Sequence, residues 1–426
     1  MTPLQRAGLT TKKTFKSLHV RNYRLYFFGQ MISVTGTWMQ TVAQAWLVLK
    51  LTHSGLALGL TTGLQFAPVL VAGAWGGVIA DRFDKQRIVI ATQFAAGLLA
   101  LILWALMIAG AVQLWMIYVL AFALGCVTVV DVPTRQAFVM EMVGPQDVTN
   151  AVGLNSTVVT SARIIGPAIA AALISTVGIA SCFLINGISY AAVIWSLLRM
   201  DRGALLEIDR VDRVKGQVLE GLRYVWGDVT LRSTLLLMAV VGTMAFNFRV
   251  MLPLLATGAF HGGAGLYGTL SVVMGVGTLA GALVSANRAH PSAKLLAGSA
   301  LAFGILIVAA GAAPSVATEI AVLIPLGAIS IIFMATCNTT LQLGSADAMR
   351  GRVMALYSVV FLGTTPIGSP LMGWIAQVSG PRMSFYVAGI STVLGGLAAL
   401  WVLRRRIVLG RLDEPQAEED GAVRAA

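Results

Sequence analysis

The amino-acid sequence predicts an all-α membrane protein with twelve transmembrane helices in two halves of six, both termini being cytoplasmic. Three observations predict this class: the composition, the number of long apolar windows and an internal repeat. Of the 426 residues, 57% are hydrophobic and 11% are charged, whereas an average soluble domain has roughly 25% charged residues. The mean hydropathy is +0.82. These values exclude a water-soluble globular protein.

Apolar windows long enough to cross a bilayer recur along the whole chain, since roughly 20 helical residues span a hydrocarbon core of ~30 Å. The predicted spans are 23–49, 56–80, 88–109, 114–132, 150–175, 180–198, 233–257, 264–286, 295–312, 318–341, 353–378 and 383–403. They divide the chain into a cytoplasmic N-terminal segment (1–22), a first half (23–198), a cytoplasmic linker (199–232), a second half (233–403) and a cytoplasmic tail (404–426).

The net charge of +12 is distributed unevenly. With the termini inside, 26 of the 30 lysines and arginines lie in cytoplasmic segments, the other four being Lys50, Arg163, Arg249 and Arg382. Such an excess is the usual bias of cytoplasmic loops, so we interpret the charge as orientation in a lipid bilayer rather than as nucleic-acid binding. An apolar stripe in the linker predicts an amphipathic helix on the cytoplasmic surface. Its residues are Val218, Leu222, Val225, Trp226 and Val229. A regulatory role of this helix is the alternative to a plain linker.

Spans 4–6 repeat as spans 10–12 at an offset of 202 residues. Glycines recur in register, among them the pairs Gly125/Gly327, Gly166/Gly368 and Gly187/Gly389. Parallel halves of this kind are a design of secondary transporters, in which the substrate binds near mid-membrane between them. The alternative is chance similarity among apolar segments.

The loop between spans 2 and 3 reads GVIADRFDKQR, from Gly77 to Arg87. It resembles the signature loop of the major facilitator superfamily at Gly77, Asp81, Arg82, Lys85 and Arg87, and Asp84 stands where that family has a small residue. The resemblance implies the fold of that superfamily and a role for Asp81 and Arg82 in holding the cytoplasmic side closed. The alternative is a plain basic anchor of the positive-inside kind.

Span 5 carries small residues around a proline, at Gly153, Ala162, Gly166 and Pro167. The pattern resembles the antiporter motif of drug exporters in the same superfamily, which implies export by exchange; ordinary packing of small residues is the alternative. The stretches from Asn22 to Gln40 and from Asp131 to Ala137 resemble the branch that contains the enterobactin exporter and macrolide efflux proteins. This implies a bacterial cytoplasmic membrane.

Polar residues along span 1 recur at steps of three and four, which places them on one helix face. Facing lipid would leave them unsatisfied, so we expect this stripe to form a wall of a central substrate cavity, interhelical bonding in a dry core being the alternative. The candidate cavity residues are Gln30, Ser33, Thr37, Gln40 and Gln44 in span 1, Asn155, Thr160 and Arg163 in span 5, and Thr243 and Asn247 in span 7.

Ionisable side chains within a membrane are functional candidates by default. We expect Arg163 near mid-membrane, attracting an anionic substrate, pairing with a carboxylate or serving a structural role, and Arg249 reaching toward the outer interface. Glu319 is expected at the surface, which leaves Asp131 as the acid within the hydrocarbon region and the candidate for proton coupling. A cap of the turn at Pro133 is the alternative role for Asp131.

Composition and motifs also limit the function. Neither a phosphate-binding loop nor a catalytic constellation is found, and the three cysteines and four histidines lie far apart, so we expect no enzyme, no cofactor and no metal site. The prediction is a secondary active exporter of amphipathic small molecules of the drug or siderophore class, driven by proton antiport and acting as a monomer. The alternatives are a proton-independent facilitator or lysophospholipid flippase, and a non-transporting scaffold or sensor.

Overall fold

The computed structural model describes residues 15–206, 217–286 and 292–423, which form helices joined by short connections and contain no strand. Two 3-10 helices, Lys16–His19 and Arg202–Ala204, accompany fifteen α-helices in these ranges. The α-helices are α1 (Arg21–Thr52), α2 (Gly55–Arg82), α3 (Lys85–Ile108), α4 (Leu114–Val143), α5 (Val148–Thr176), α6 (Ile179–Leu198), α7 (Gln217–Gly227), α8 (Val229–Met244), α9 (Phe248–Gly258), α10 (Ala264–Ala286), α11 (Ala293–Ala312), α12 (Val316–Leu343), α13 (Asp347–Gly363), α14 (Thr365–Ser379) and α15 (Pro381–Val423).

Eleven helical segments of the described ranges are long and apolar enough to cross a membrane. Two of them, Val229–Gly258 and Asp347–Ser379, consist of two helices each. The sequence predicts these spans as single helices, but the first is interrupted around Phe246, whose N–H bonds the carbonyl five residues back. The second restarts where Pro366 enters the first turn of α14, a position that suits a residue without an amide proton. Helix α1 has 32 residues but is not among the eleven.

The internal repeat is visible in the helix packing. A side chain at Gly125 would overlap the Gln65 carbonyl oxygen of α2, and one at Gly327 would overlap the Met274 carbonyl oxygen of α10. Two further pairs behave alike: Gly166 with Gly368, packed on α1 and α8, and Gly187 with Gly389, packed on α3 and α11. The in-register glycines therefore mark equivalent close contacts between helices.

The stripe of the linker lies on α7 except for Val229, which begins α8, and α7 packs against the beginning of α13. Glu220 accepts a hydrogen bond from Arg352 at 2.5 Å, and the Tyr224 hydroxyl accepts one from the Ala346 amide at 3.0 Å. Val225 is buried, whereas Leu222 and Trp226 are exposed. Residues 207–216 and the Val218 side chain lie outside the described residues.

Helix α4 corrects one predicted boundary. The sequence analysis ends span 4 at residue 132 and counts Arg135 among the cytoplasmic residues, but α4 continues through Pro133 to Val143. Proline frees the carbonyl four residues earlier, here that of Val129, and this carbonyl lies directly against Gly76 of α2. The close approach of α2 thus accommodates the proline within a continuous helix.

Candidate functional site

A fully partnered carboxylate lies inside the first group of helices, α1–α6. Asp131 is 6% exposed, and its Oδ2 lies 2.8 Å from Arg135 Nε, one helical turn further along α4. Its Oδ1 accepts hydrogen bonds from the Thr92 hydroxyl at 2.8 Å and from the Gln93 side-chain amide at 2.9 Å, both on α3. The proposed capping of a turn at Pro133 is wrong, because the helix does not turn there.

Arg135 extends this ion pair to α1. Its Nη1 donates to Gln30 Oε1 at 2.8 Å, and Gln30 is 2% exposed. We call the group Asp131, Arg135, Gln30, Thr92 and Gln93 the charged network. Sequence reasoning missed Arg135, although its spacing of four residues from Asp131 is the signal for a pair on one helix face. Arg135 thereby connects the Asp131 carboxylate to Gln30, a residue of the predicted polar stripe on α1.

A polar pocket lies further along that stripe. It contains about 490 Å³ of empty space, including its open mouth. Helices α1, α2, α4 and α6 form most of its wall, and Arg249 of α9 enters from the second group of helices, α8–α15. The residues lining it are Thr37, Gln40, Thr41, Gln44, Ala45, Leu58, Thr61, Thr62, Gln65, Leu124, Asn186, Tyr190 and Arg249. Thr37, Gln40 and Gln44 were expected here; Gln65, Asn186, Tyr190 and Arg249 were not.

The pocket wall is held by hydrogen bonds between α1 and α6. Asn186 donates to Gln40 Oε1 at 2.6 Å, and the hydroxyls of Tyr190 and Thr37 lie 3.3 Å apart. These bonds fix the orientation of the polar groups; Gln40, Asn186 and Tyr190 are buried, and Thr37 remains exposed. The wall is therefore ordered before any ligand arrives.

The other predicted cavity residues lie elsewhere. Gln30 and Ser33 are buried in the helix packing, and Thr160 bonds the Ser156 carbonyl of its own helix. Asn247 is buried, accepts from Ser369 at 2.9 Å and donates to the Thr243 carbonyl at 2.7 Å. Asn155, Thr160, Arg163, Thr243 and Asn247 are not among the residues that line the pocket.

Two arginines meet over one indole ring. The guanidinium carbons of Arg163 and Arg249 lie 5.1 and 4.9 Å from the ring centroid of Trp38, and that of Arg249 also lies 5.5 Å from the Phe66 ring. Arg249 therefore points toward α1 and α2, not toward the end of its span as the sequence analysis expects. Among the described residues no carboxylate lies within 4.0 Å of either guanidinium.

The signature loop is a tight connection between α2 and α3. Only Phe83 and Asp84 separate the helices, and Asp84 caps α3 by accepting from the Arg87 amide at 2.9 Å. Lys85 lies 2.5 Å from Glu141 near the end of α4, both side chains being less than one-fifth exposed. Gly77 is buried and Asp81 half-buried, while Arg82 and Arg87 are exposed. Asp84 thus caps α3 at the position where the family pattern has a small residue.

The small residues of α5 contact both groups of helices. A side chain at Gly166 would crowd Trp38 and Thr35 of α1. On the other side, Gly268 of α10 approaches the Pro167 carbonyl, and Gly275 approaches the Arg163 carbonyl that this proline frees. Ala162 is buried, but Gly153 is exposed with open space around it, so the expectation of close packing fails at that position.

Glu319 is a second buried acid. It is 0% exposed, and neither carboxylate oxygen has a hydrogen-bond partner. Glu319 lies in the first turn of α12, near the end of a span, where neighbouring helices bury its side chain. Glu319 is on the second group of helices and is not among the residues that line the pocket.

Long apolar helices around a polar, ordered pocket define a multi-pass membrane transporter. The family model described as "Transmembrane secretion effector" matches residues 12–413. The chain belongs to this family of the major facilitator superfamily, and is accordingly a non-enzymatic transporter. The resemblance found in the sequence is confirmed.

Two named relatives and one solved structure are consistent with this family. The chain is 25% identical to the Staphyloferrin A transporter of Staphylococcus aureus over 87% of this chain and 93% of that protein. It is 26% identical to the Enterobactin exporter EntS of Citrobacter koseri over 94% and 95%. A bacterial homolog of the human lysosomal transporter Spinster, solved in an inward-facing and unoccupied conformation, shares the fold with a TM-score of 0.72 at 16% identity, covering 90% of this chain and 96% of that chain.

Proposed function

We propose that the protein is a secondary active exporter of siderophore-class or drug-like amphipathic small molecules, acting as a monomer in the bacterial cytoplasmic membrane. The polar pocket carries this proposal, because amide, hydroxyl and guanidinium side chains line an open space between the helices, and such a space can hold a small ligand. The similarity to an enterobactin exporter and a staphyloferrin A transporter supports the cargo class.

The architecture behind the proposal is two six-helix halves, 23–198 and 233–403, that alternate access to the pocket. Helix α1 serves as the first of twelve spans, and both termini lie in the cytoplasm. The Asp81–Arg82 pair and the Lys85–Glu141 contact belong to the cytoplasmic gate. The repeated glycine contacts support rigid halves, since each half keeps equivalent close packing.

Proton antiport through Asp131 is the proposed coupling. Protonation would remove the charge that holds Arg135, and Arg135 also bonds Gln30 on the stripe that continues into the pocket. Loss of the ion pair therefore frees Arg135 on one side, and its other contact, with Gln30, joins α4 to α1. This gives the proton a route by which it changes the pocket wall without touching the cargo.

The test uses everted membrane vesicles that contain the full chain and carry an imposed pH gradient. Enterobactin, staphyloferrin A and a panel of amphipathic drugs are added in turn. Proton antiport predicts that a transported compound dissipates the gradient, and that Gln40→Leu in the pocket weakens this about tenfold. Gln113→Leu, at an exposed site outside the pocket, is the matched control and leaves it unchanged.

Other outcomes identify the alternatives. Cargo movement with an untouched gradient contradicts antiport and identifies a facilitator, or a flippase if lysophospholipid moves. No movement of any compound, together with normal phenotype of an Asp81→Asn strain, contradicts export and favours a scaffold or sensor.

A further inference from the structure

The Arg163, Trp38 and Arg249 cluster connects the two groups of helices. Trp38 and Arg163 lie on α1 and α5, whereas Arg249 lies on α9. Because each guanidinium carbon is about 5 Å from the same ring centroid, the two carbons are at most about 10 Å apart. Two like charges on different groups of helices therefore lie within about 10 Å of each other.

The cluster lies at the depth of a transport site. Trp38 is 17 residues after the start of α1 and 14 before its end, which is ~26 Å and ~21 Å at 1.5 Å per residue. Arg163 is equally central in α5, 15 residues after its start and 13 before its end. Arg249 also lines the polar pocket. A cation at this depth is expensive unless it is paired.

The protein supplies only part of that pairing. The indole ring offers cation–π contacts, but no described carboxylate reaches either guanidinium. The Nε atom of Arg163 is buried and has no hydrogen-bond partner. The unmet requirement is an anionic acceptor, and a planar guanidinium binds a carboxylate through two parallel hydrogen bonds.

We propose that Arg163 and Arg249 bind a carboxylate group of the cargo beside Trp38. This rests on the proposed export function and narrows its substrate class to carboxylate-bearing amphiphiles. The bound anion neutralises two cations that belong to different groups of helices. Cargo binding therefore removes a repulsion across the boundary and favours the approach of the two halves.

The test measures binding to the purified full chain in nanodiscs of neutral phosphatidylcholine, which excludes anionic lipid as the ligand. The probes are 2,3-dihydroxybenzoate and its methyl ester, a pair with the same aromatic ring that differs by one carboxylate. Quenching of tryptophan fluorescence reports binding, and Trp38→Phe identifies the signal that comes from Trp38. We expect the acid to bind at least about tenfold more tightly than the ester.

Two variants and one control locate the site. Arg163→Gln and Arg249→Gln each weaken binding of the acid about tenfold or more and leave the ester unchanged. Arg199→Gln is the matched control, because Arg199 lies 5.1 Å over the exposed Trp195 ring, away from the pocket, and its loss leaves both affinities unchanged.

Three results overturn the proposal: equal affinity for acid and ester, no binding of the acid, or unchanged affinity in both Arg163→Gln and Arg249→Gln. The function is tested separately. Transport in the vesicles together with equal affinity for acid and ester supports export and contradicts the carboxylate site. Selective binding of the acid without transport supports the carboxylate site and contradicts export.

Discussion

The same position of the repeat carries an ion pair in one half and aromatic packing in the other. Asp131 and Arg135 of α4 correspond, at the offset of 202 residues, to Phe333 and Cys337 of α12. Both counterparts are 0% exposed. The Phe333 ring lies 6.2 Å from that of Phe303 and 6.5 Å from that of Phe246. An apolar cluster thus fills the place that the charged network occupies in the first group.

The comparison separates what the fold requires from what it tolerates. Glycines that permit close helix contacts recur in both groups, so close packing at those positions is a requirement of the fold. The charges do not recur, and a buried ion pair is often no more stabilising than apolar residues of similar volume. The charged network is therefore not needed to build a half, and its retention in α4 points to function.

The largest expected effect comes from breaking the ion pair on one side. Asp131→Asn leaves the half-buried Arg135 without a counter-charge, and we expect the free energy of unfolding to fall by up to about 3–5 kcal/mol. The double variant Asp131→Asn/Arg135→Gln removes both charges and recovers most of that loss. Chemical unfolding of the detergent-solubilised full chain measures the free energy of unfolding of both single variants and of the double variant. If the loss in the double variant equals the sum of the losses in the two single variants, the argument is contradicted.

The repeated glycines should respond alike in the two groups. Gly125→Ala and Gly327→Ala each place a methyl group against a backbone carbonyl, and we expect each to lower the free energy of unfolding by about 1–3 kcal/mol. Gly153→Ala is the control, because open space surrounds it, and its higher helix propensity predicts a small gain of up to ~1 kcal/mol. Unequal losses at Gly125 and Gly327 would show that the halves are not equivalent.

The smallest effect concerns ion pairs near the ends of the helices. Lys85 and Glu141 are 17% and 16% exposed, whereas Arg350 and Asp347 are 41% and 90% exposed. We expect Glu141→Gln to cost about 1–2 kcal/mol, since a hydrogen bond to a charged group contributes roughly that much when water is excluded. Asp347→Asn should stay near zero, because exposed pairs contribute only ~0–1 kcal/mol. The same unfolding measurement gives both losses, and a larger loss for Asp347→Asn than for Glu141→Gln contradicts this ranking.

Much of the fold could be predicted from the sequence because it depends on local signals. Hydropathy located the long helices, and the in-register glycines located the repeat. The end of α4 could not be predicted from hydropathy, since Asp131 and Arg135 have the composition of an interfacial segment. The helix nevertheless continues to Val143, and the two charges pair on one of its faces.

The site was predicted only in part for a different reason. A polar stripe at helical spacing is local, so Thr37, Gln40 and Gln44 were found. The contact of Arg249 with Trp38 joins helices that are more than two hundred residues apart, and the burial of Glu319 depends on neighbouring helices. No spacing rule within one span reports such contacts.

The most direct test of the central claim uses proteoliposomes that contain the double variant Asp131→Asn/Arg135→Gln, with wild-type protein and Gln113→Leu as folded references. The measured quantity is the number of protons moved per molecule of a compound that the wild-type protein transports. We predict that the double variant still moves this compound down its gradient but no longer dissipates the pH gradient. An unchanged proton flux per molecule of cargo would contradict the account.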